Sequence, residues 1–242
     1  MKKSTHARLL DITFIALFAA LCYIALTVLF FPFGPMYIHF GNLIVVLAAL
    51  LVGGWQGGLA GSIGMGFFDL FNGHADSAPK TFLLKLLIGL TAGLVYQFLK
   101  KRKQYPSVLL LLTGIASFTV TAALLVHTFE QNHAYTGKSA YLVPLFAGIG
   151  LLCVIFSLLK NRFPQKTAAA IVGATCGMVV NLVGETAWKF VVYLLAGSGA
   201  PAAFMAAVLG QGSTLINAGI AIVGGVALFT VLEKPFARIL EK

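Results

Sequence analysis

TAAAIVGATCGMVVNLVGETAWKFVVYLL, residues Thr167 to Leu195, is the stretch whose reading decides the fold. It is long and apolar enough to cross a bilayer as one helix, which takes about 20 residues. Yet it carries Asn181, Glu185, Trp188 and Lys189, spaced i, i+4, i+7 and i+8, so on a helix they share one face. A carboxylate and an amine inside an apolar span are costly, and such groups usually face a protein interior or a water-filled cavity. This face reads as one wall of a binding site. The plainer reading is a buried structural ion pair between two helices.

The rest of the chain supports a membrane setting. Its 242 residues are 59% hydrophobic and only 10% charged, with a mean hydropathy of +0.94. A soluble domain carries roughly a quarter charged residues. Several other runs reach spanning length, and the short alternating segments of a membrane β-barrel are not the pattern here. The expected class is therefore all-α: a polytopic helical bundle forming one integral membrane domain over residues 1–242.

The net charge of +10 would suggest nucleic acid in a soluble protein, but here the basic residues sit in short loops beside apolar spans. They report orientation and anionic headgroups, and no nucleic-acid partner is expected. Cys22, Cys153 and Cys176 lie inside apolar spans without a CxxC pair, and read as packing residues. Lys2-Lys3 followed by an apolar run has the outline of a signal peptide. The run is longer than a typical signal core, and Leu21 stands before Cys22 where lipoprotein cleavage wants a small residue. The segment is expected to remain as the first membrane helix.

About eight spans are expected. Span one, about 9–31, contains Ala16 and Ala20, a small-xxx-small pair that lets another helix approach closely. The loop from Pro32 to Phe40 holds two prolines, a glycine and several aromatics, which end the helix and suit an interface or a lid over a ligand. Spans two (about 40–52) and three (about 59–71) are short, with a glycine-rich turn at 53–58 and Gly57, Gly61, Ser62 and Gly66 at close-packing spacing. Short, glycine-interrupted spans often sit where a membrane protein builds a binding site. Span four, about 80–99, contains Lys85 and ends in Lys100-Lys101-Arg102-Lys103. Spans five and six, within 107–160, form a plain hairpin whose loop holds Glu130, His133 and Lys138. The opening stretch is span seven, and span eight, about 202–232, carries Gln211, Thr214 and Asn217 as a second polar stripe.

Placing both termini in the cytoplasm puts Lys2, Lys3, Arg8, Lys100, Lys101, Arg102, Lys103, Lys160, Arg162, Lys166, Lys234, Arg238 and Lys242 inside, and leaves only Lys80 and Lys138 in outer loops. With that orientation His39, Asn42, Asp69, Asn72, His74, Lys85, Glu185, Trp188, Lys189 and Gln211 fall toward the outer half, the geometry of a pocket between helices that opens outward. Each side chain also has a local alternative. Glu185 pairs with Lys85 or Lys189, or meets a ligand; Lys189 snorkels to headgroups; Trp188 joins the interfacial aromatic belt; Asp69 and Asn72 cap span three; Asn217 ties helices together. His39, His74, His127 and His133 share no ligand spacing, so no metal is expected. No motif for binding or hydrolysing ATP is present.

These stretches together resemble the substrate-binding S components of energy-coupling factor (ECF) transporters, in the branch of riboflavin-, hydroxymethylpyrimidine- and pyridoxine-type subunits. The likeness is carried by Ile15-Ala16-Leu17-Phe18-Ala19-Ala20-Leu21, by Phe40-Gly41-Asn42-Leu43 through Gly53, by the glycine-rich run to Asp69, by Lys85 with Gly89 and Gly93, by Gly184-Glu185, and by Gly212-Ser213-Thr214-Leu215-Ile216-Asn217. It implies a six-helix core, here over 9–100 and 167–233; the sequence departs from that pattern at residues 107–160, which read as an inserted two-helix hairpin. It also implies a cell-membrane subunit without enzymatic activity or cofactor. Such a subunit captures a small vitamin-like substrate, with Pro32 to Phe40 as a gate. The Ala16 and Ala20 face would meet a transmembrane coupling (T) subunit driven by two ATPases, and the bound subunit would topple in the bilayer.

The expected substrate is a partly aromatic ring compound, with B6 vitamers or a pyrimidine precursor of thiamine as the leading types. The expected substrate-binding residues are Tyr37, His39, Asn42, Asp69, Asn72, Lys85, Glu185, Trp188, Gln211 and Asn217. Two other readings are a solitary proton-coupled transporter and an intramembrane enzyme working through Glu185.

Overall fold

The computed structural model describes residues 5–33, 36–102, 107–130, 138–159 and 163–240. The readings placed on Gly34-Pro35, His133, Lys2, Lys3, Lys103, Lys160, Arg162 and Lys242 lie outside these residues, as do those on the side chains of His127, Glu130 and Lys138.

The chain is a helical bundle with one small ribbon. Its elements are α1 (Thr5–Thr27), β1 (Phe30–Phe33), β2 (Met36–His39), α2 (Gly41–Leu51), α3 (Gly54–Phe71), α4 (Ala78–Leu99), α5 (Ser107–Glu130), α6 (Lys138–Leu159), α7 (Gln165–Leu195), α8 (Ala200–Leu209) and α9 (Gly212–Leu240). Among the described residues four helices, α1, α4, α7 and α9, are long and apolar enough to cross a membrane. At 11 residues, α2 is about 17 Å long, near half the thickness of a hydrocarbon core.

Three departures from the sequence reading matter. Helix α1 ends at Thr27, because Phe30–Phe33 leaves the helix to pair antiparallel with Met36–His39, Phe30 opposite His39 and Pro32 opposite Tyr37. Aromatic and β-branched residues favour this ribbon, and Pro32 sits on a two-stranded edge where its missing N–H is tolerated. The glycine-rich turn shrinks to Val52 and Gly53, so α3 starts at Gly54; Gly53 turns the chain at φ 119°, which L side chains rarely adopt. The last span is broken at Gly210-Gln211 into α8 and α9. There the Gly210 carbonyl accepts a hydrogen bond from Lys189 Nζ at 2.6 Å.

The core runs through α1, α2, α3, α4, α7 and α9, where Cys22, Val45, Val46, Ile88, Val172 and Phe229 are almost wholly buried. Helix α4 is central, packed against both α3 and α7. Helices α5 and α6 pack chiefly on each other, with a second cluster of Leu124, Leu142, Val143 and Phe146 that reaches Leu215 of α9.

Backbone contact explains the glycines. A methyl group on Gly89 would overlap the Gly58 backbone, and one on Gly93 would overlap the Gly54 backbone. Ser62 Oγ adds a hydrogen bond to the Phe82 carbonyl at 2.6 Å, tying α3 to α4 again. Because the colliding atoms are main chain on both sides, no rotamer change can make room. Gly89→Ala is expected to lower stability by about 1–3 kcal/mol or more, the range for overpacking. Thermal melting of the purified chain checks this, with exposed Gly219→Ala near neutral as the comparison.

Candidate substrate-binding site

The C-terminal ends of α1 and α3, the N-terminal end of α4, the C-terminal half of α7 and the β1–β2 ribbon surround a cavity of about 640 Å³. That volume suits a small organic ligand. Leu26, Met65 and Phe68 supply apolar wall, and Phe30 stacks on Tyr37 with ring centroids 5.2 Å apart.

The charged groups are fixed from neighbouring elements. Lys80 enters from the first turn of α4 and donates to both Glu185 oxygens, at 2.9 and 3.0 Å. Both side chains are mostly buried, at 17% and 16% exposure, which weakens screening by water. Thr81 Oγ1 donates to Asp69 at 2.5 Å, joining the end of α3 to the start of α4. Deeper, the Lys85 ammonium is 5% exposed and donates to Asn42 Oδ1 on α2 at 2.9 Å and Asn181 Oδ1 on α7 at 3.2 Å. Lysine is an obligate donor, so both amides must turn their oxygens toward it.

One side chain of α9 ties down the ribbon through two hydrogen bonds. Asn217 of α9 accepts from the His39 backbone N–H at 3.0 Å and donates to the Tyr37 carbonyl at 3.1 Å, so its amide acts as a third strand. The Gly41 N–H donates to His39 Nδ1 at 3.2 Å, which leaves the imidazole proton on Nε2. Burial pushes the His39 imidazole down to about 4; the Lys85 charge acts the same way and Glu185 opposes it.

Six of the ten expected binding residues line this cavity: Tyr37, His39, Asp69, Asn72, Lys85 and Glu185. The other four do not. Asn42 is 2% exposed and supports Lys85 from behind. Asn217 pins the ribbon from outside. Gln211 is 1% exposed at the α8–α9 break, where its Nε2 donates to the Ala207 carbonyl. Trp188 is 38% exposed, beyond Asn181, where the buried residues of α7 end. Asn72 lies at the mouth and donates to the Phe68 carbonyl at 2.8 Å, and Lys189 reaches Gly210 instead of Glu185. Sequence reasoning missed Lys80 as the partner of Glu185, and missed Thr81, Phe30 and Phe68 as lining. Their signal was weak: an opposite charge in the same outer half for Lys80, and loop aromatics for Phe30.

Two outcomes test this geometry. Replacing Asn217 with Ala removes both ribbon bonds, and amide exchange at His39 is expected to rise roughly tenfold or more by mass spectrometry. The folded His39 value of about 4 lies below the ordinary 6.5, so the unfolded chain takes up a proton first as pH falls. Its stabilising contribution is whole above pH 6.5 and is lost between 6.5 and about 4. The melting temperature should decline across that window, and His39→Asn should flatten that part of the decline.

Known proteins can be set against this geometry. No curated protein matches the chain. Among solved structures it is similar to ThiT from Listeria monocytogenes, at 14% identity over 96% of this chain and 98% of that one, with a TM-score of 0.48. The family model described as the ECF-type riboflavin transporter, S component, matches residues 7–150, from α1 through most of α6. That match spans more than half of the 242 residues, and the chain belongs to the S-component family of ECF-type riboflavin transporters.

Proposed function

We propose that this chain captures a small vitamin or vitamin precursor from outside the cell for an ATP-driven ECF importer, its cavity serving as the substrate chamber. The observation that carries this reading is the cavity itself. Charged and aromatic side chains from three helices and a ribbon converge on one end of an apolar bundle. Groups so costly to desolvate are retained where they meet a polar guest. With both termini in the cytoplasm, as the distribution of Lys and Arg favours, that end faces outward. B6 vitamers and a thiamine-precursor pyrimidine are the substrate types that a chamber of this size and mixed polarity suits.

In this reading the β1–β2 ribbon covers the chamber, and its anchoring through Asn217 makes α9 part of the gate. The outer face of α1 docks on the coupling subunit. Ala16 and Ala20 are both exposed there, and small residues permit close, reversible helix contact without a polar penalty. Two ATPases acting through that partner supply the energy. The core is 9–100 with 167–233, and the α5–α6 pair is an addition to it, in keeping with its packing chiefly on itself.

The test is expression of the tagged chain with coupling and ATPase subunits. Copurification is expected with the native chain and loss of it with Ala16→Leu/Ala20→Leu. The double variant should keep its ligand when native mass spectrometry is run on the isolated subunit. ATPase-independent uptake by the chain alone would reject the reading in favour of a solitary transporter.

A further inference from the structure

Lys85 stands apart from the other charged groups of the cavity. Glu185 is engaged by Lys80 through both oxygens, and Asp69 accepts from Thr81. Lys85 is 5% exposed and donates to two neutral amide oxygens, on Asn42 and Asn181. Among the described residues no carboxylate lies within ion-pair distance of it. An ammonium has three N–H bonds, and two are used. A buried cation in that state is short of one acceptor and of one opposite charge. It also lines the cavity, as do the stacked rings of Phe30 and Tyr37.

We propose that the ligand supplies both: a negatively charged oxygen borne by a planar ring, a carboxylate or an ionised ring hydroxyl, seated on Lys85 Nζ. The inference rests on the cavity being the substrate chamber. A phosphate ester is a poorer match, since it brings three acceptor oxygens and a charge near −2 to a single remaining N–H. The requirement separates the two substrate types. An ionised pyridinol of the B6 kind offers the oxygen directly. A neutral aminopyrimidine offers Lys85 only uncharged ring nitrogens, which accept a hydrogen bond but leave the buried charge unmet. Asn42 and Asn181 thus act as positioning residues, aiming the ammonium while leaving its charge unneutralised.

The experiment uses the purified full chain in detergent and two matched pairs of probes: pyridoxal with its 3-O-methyl ether, and nicotinate with nicotinamide. Binding is read by calorimetry. In the native chain the anionic member of at least one pair should bind on the order of 100-fold more tightly than its neutral partner. Lys85→Met should erase that preference. Asn181→Asp sets a resident carboxylate against Lys85, and should erase it while the melting temperature holds or rises. If Lys85→Met does not fold, Asn181→Asp decides alone. Equal binding of charged and neutral members, a preference that survives Asn181→Asp, or binding of none of the four probes overturns the inference. The substrate-capture reading is judged separately, by copurification with the coupling partners, so the two fail in different assays.

Discussion

An ammonium buried among helices has to be met by oxygen wherever water does not reach it, and Lys85 imposes that condition on this fold. Its two acceptors come from α2 and α7, while Lys85 itself sits on α4. One side chain therefore fixes three helices against each other at the floor of the cavity. Losing either amide would leave a desolvated charge with a single neighbour, a larger penalty than an ordinary missing hydrogen bond. Helix α2 starts at Gly41, so Asn42 meets Lys85 from its first turn, just after the ribbon ends.

The close approach needed for those bonds is provided by main-chain contact. Gly54 and Gly58 on α3 face Gly93 and Gly89 on α4, and Gly173 and Gly177 on α7 lie against the Ala92 and Ile88 carbonyls of α4. In lipid there is little hydrophobic force between helices, so dispersion across such tight seams carries much of the association. Cavity and seam are complementary: where the helices close on glycine the bundle is solid, and where α1 and α3 end and α4 begins it opens. The ribbon borders that opening, tied to α9 by two bonds from one amide.

Much of the fold is legible in the sequence. Hydropathy located the helices, and the 3.6-residue period put Asn181 and Glu185 on one face of α7, where one supports the floor and the other lines the wall. The same period put Trp188 on that face, yet Trp188 is exposed. Periodicity gives the angle around a helix and says nothing of how high its neighbours reach; past Asn181, α7 outlasts its buried packing. Gln211 shows a related limit. Its polar stripe is real, but the helix breaks at that point and the side chain turns into the α8–α9 corner.

The sequence by itself determined the membrane class, the face of α7 that carries charge and the small-residue face of α1, because each depends on composition or spacing within one segment. Only the tertiary structure decided the partners. Lys80 lies 105 residues from Glu185, Lys85 lies 96 from Asn181, and Asn217 lies 178 from the strand it completes. Electrostatic and hydrogen-bond pairing depends on distance through space, and no local pattern records which of several equivalent charges the fold will bring together.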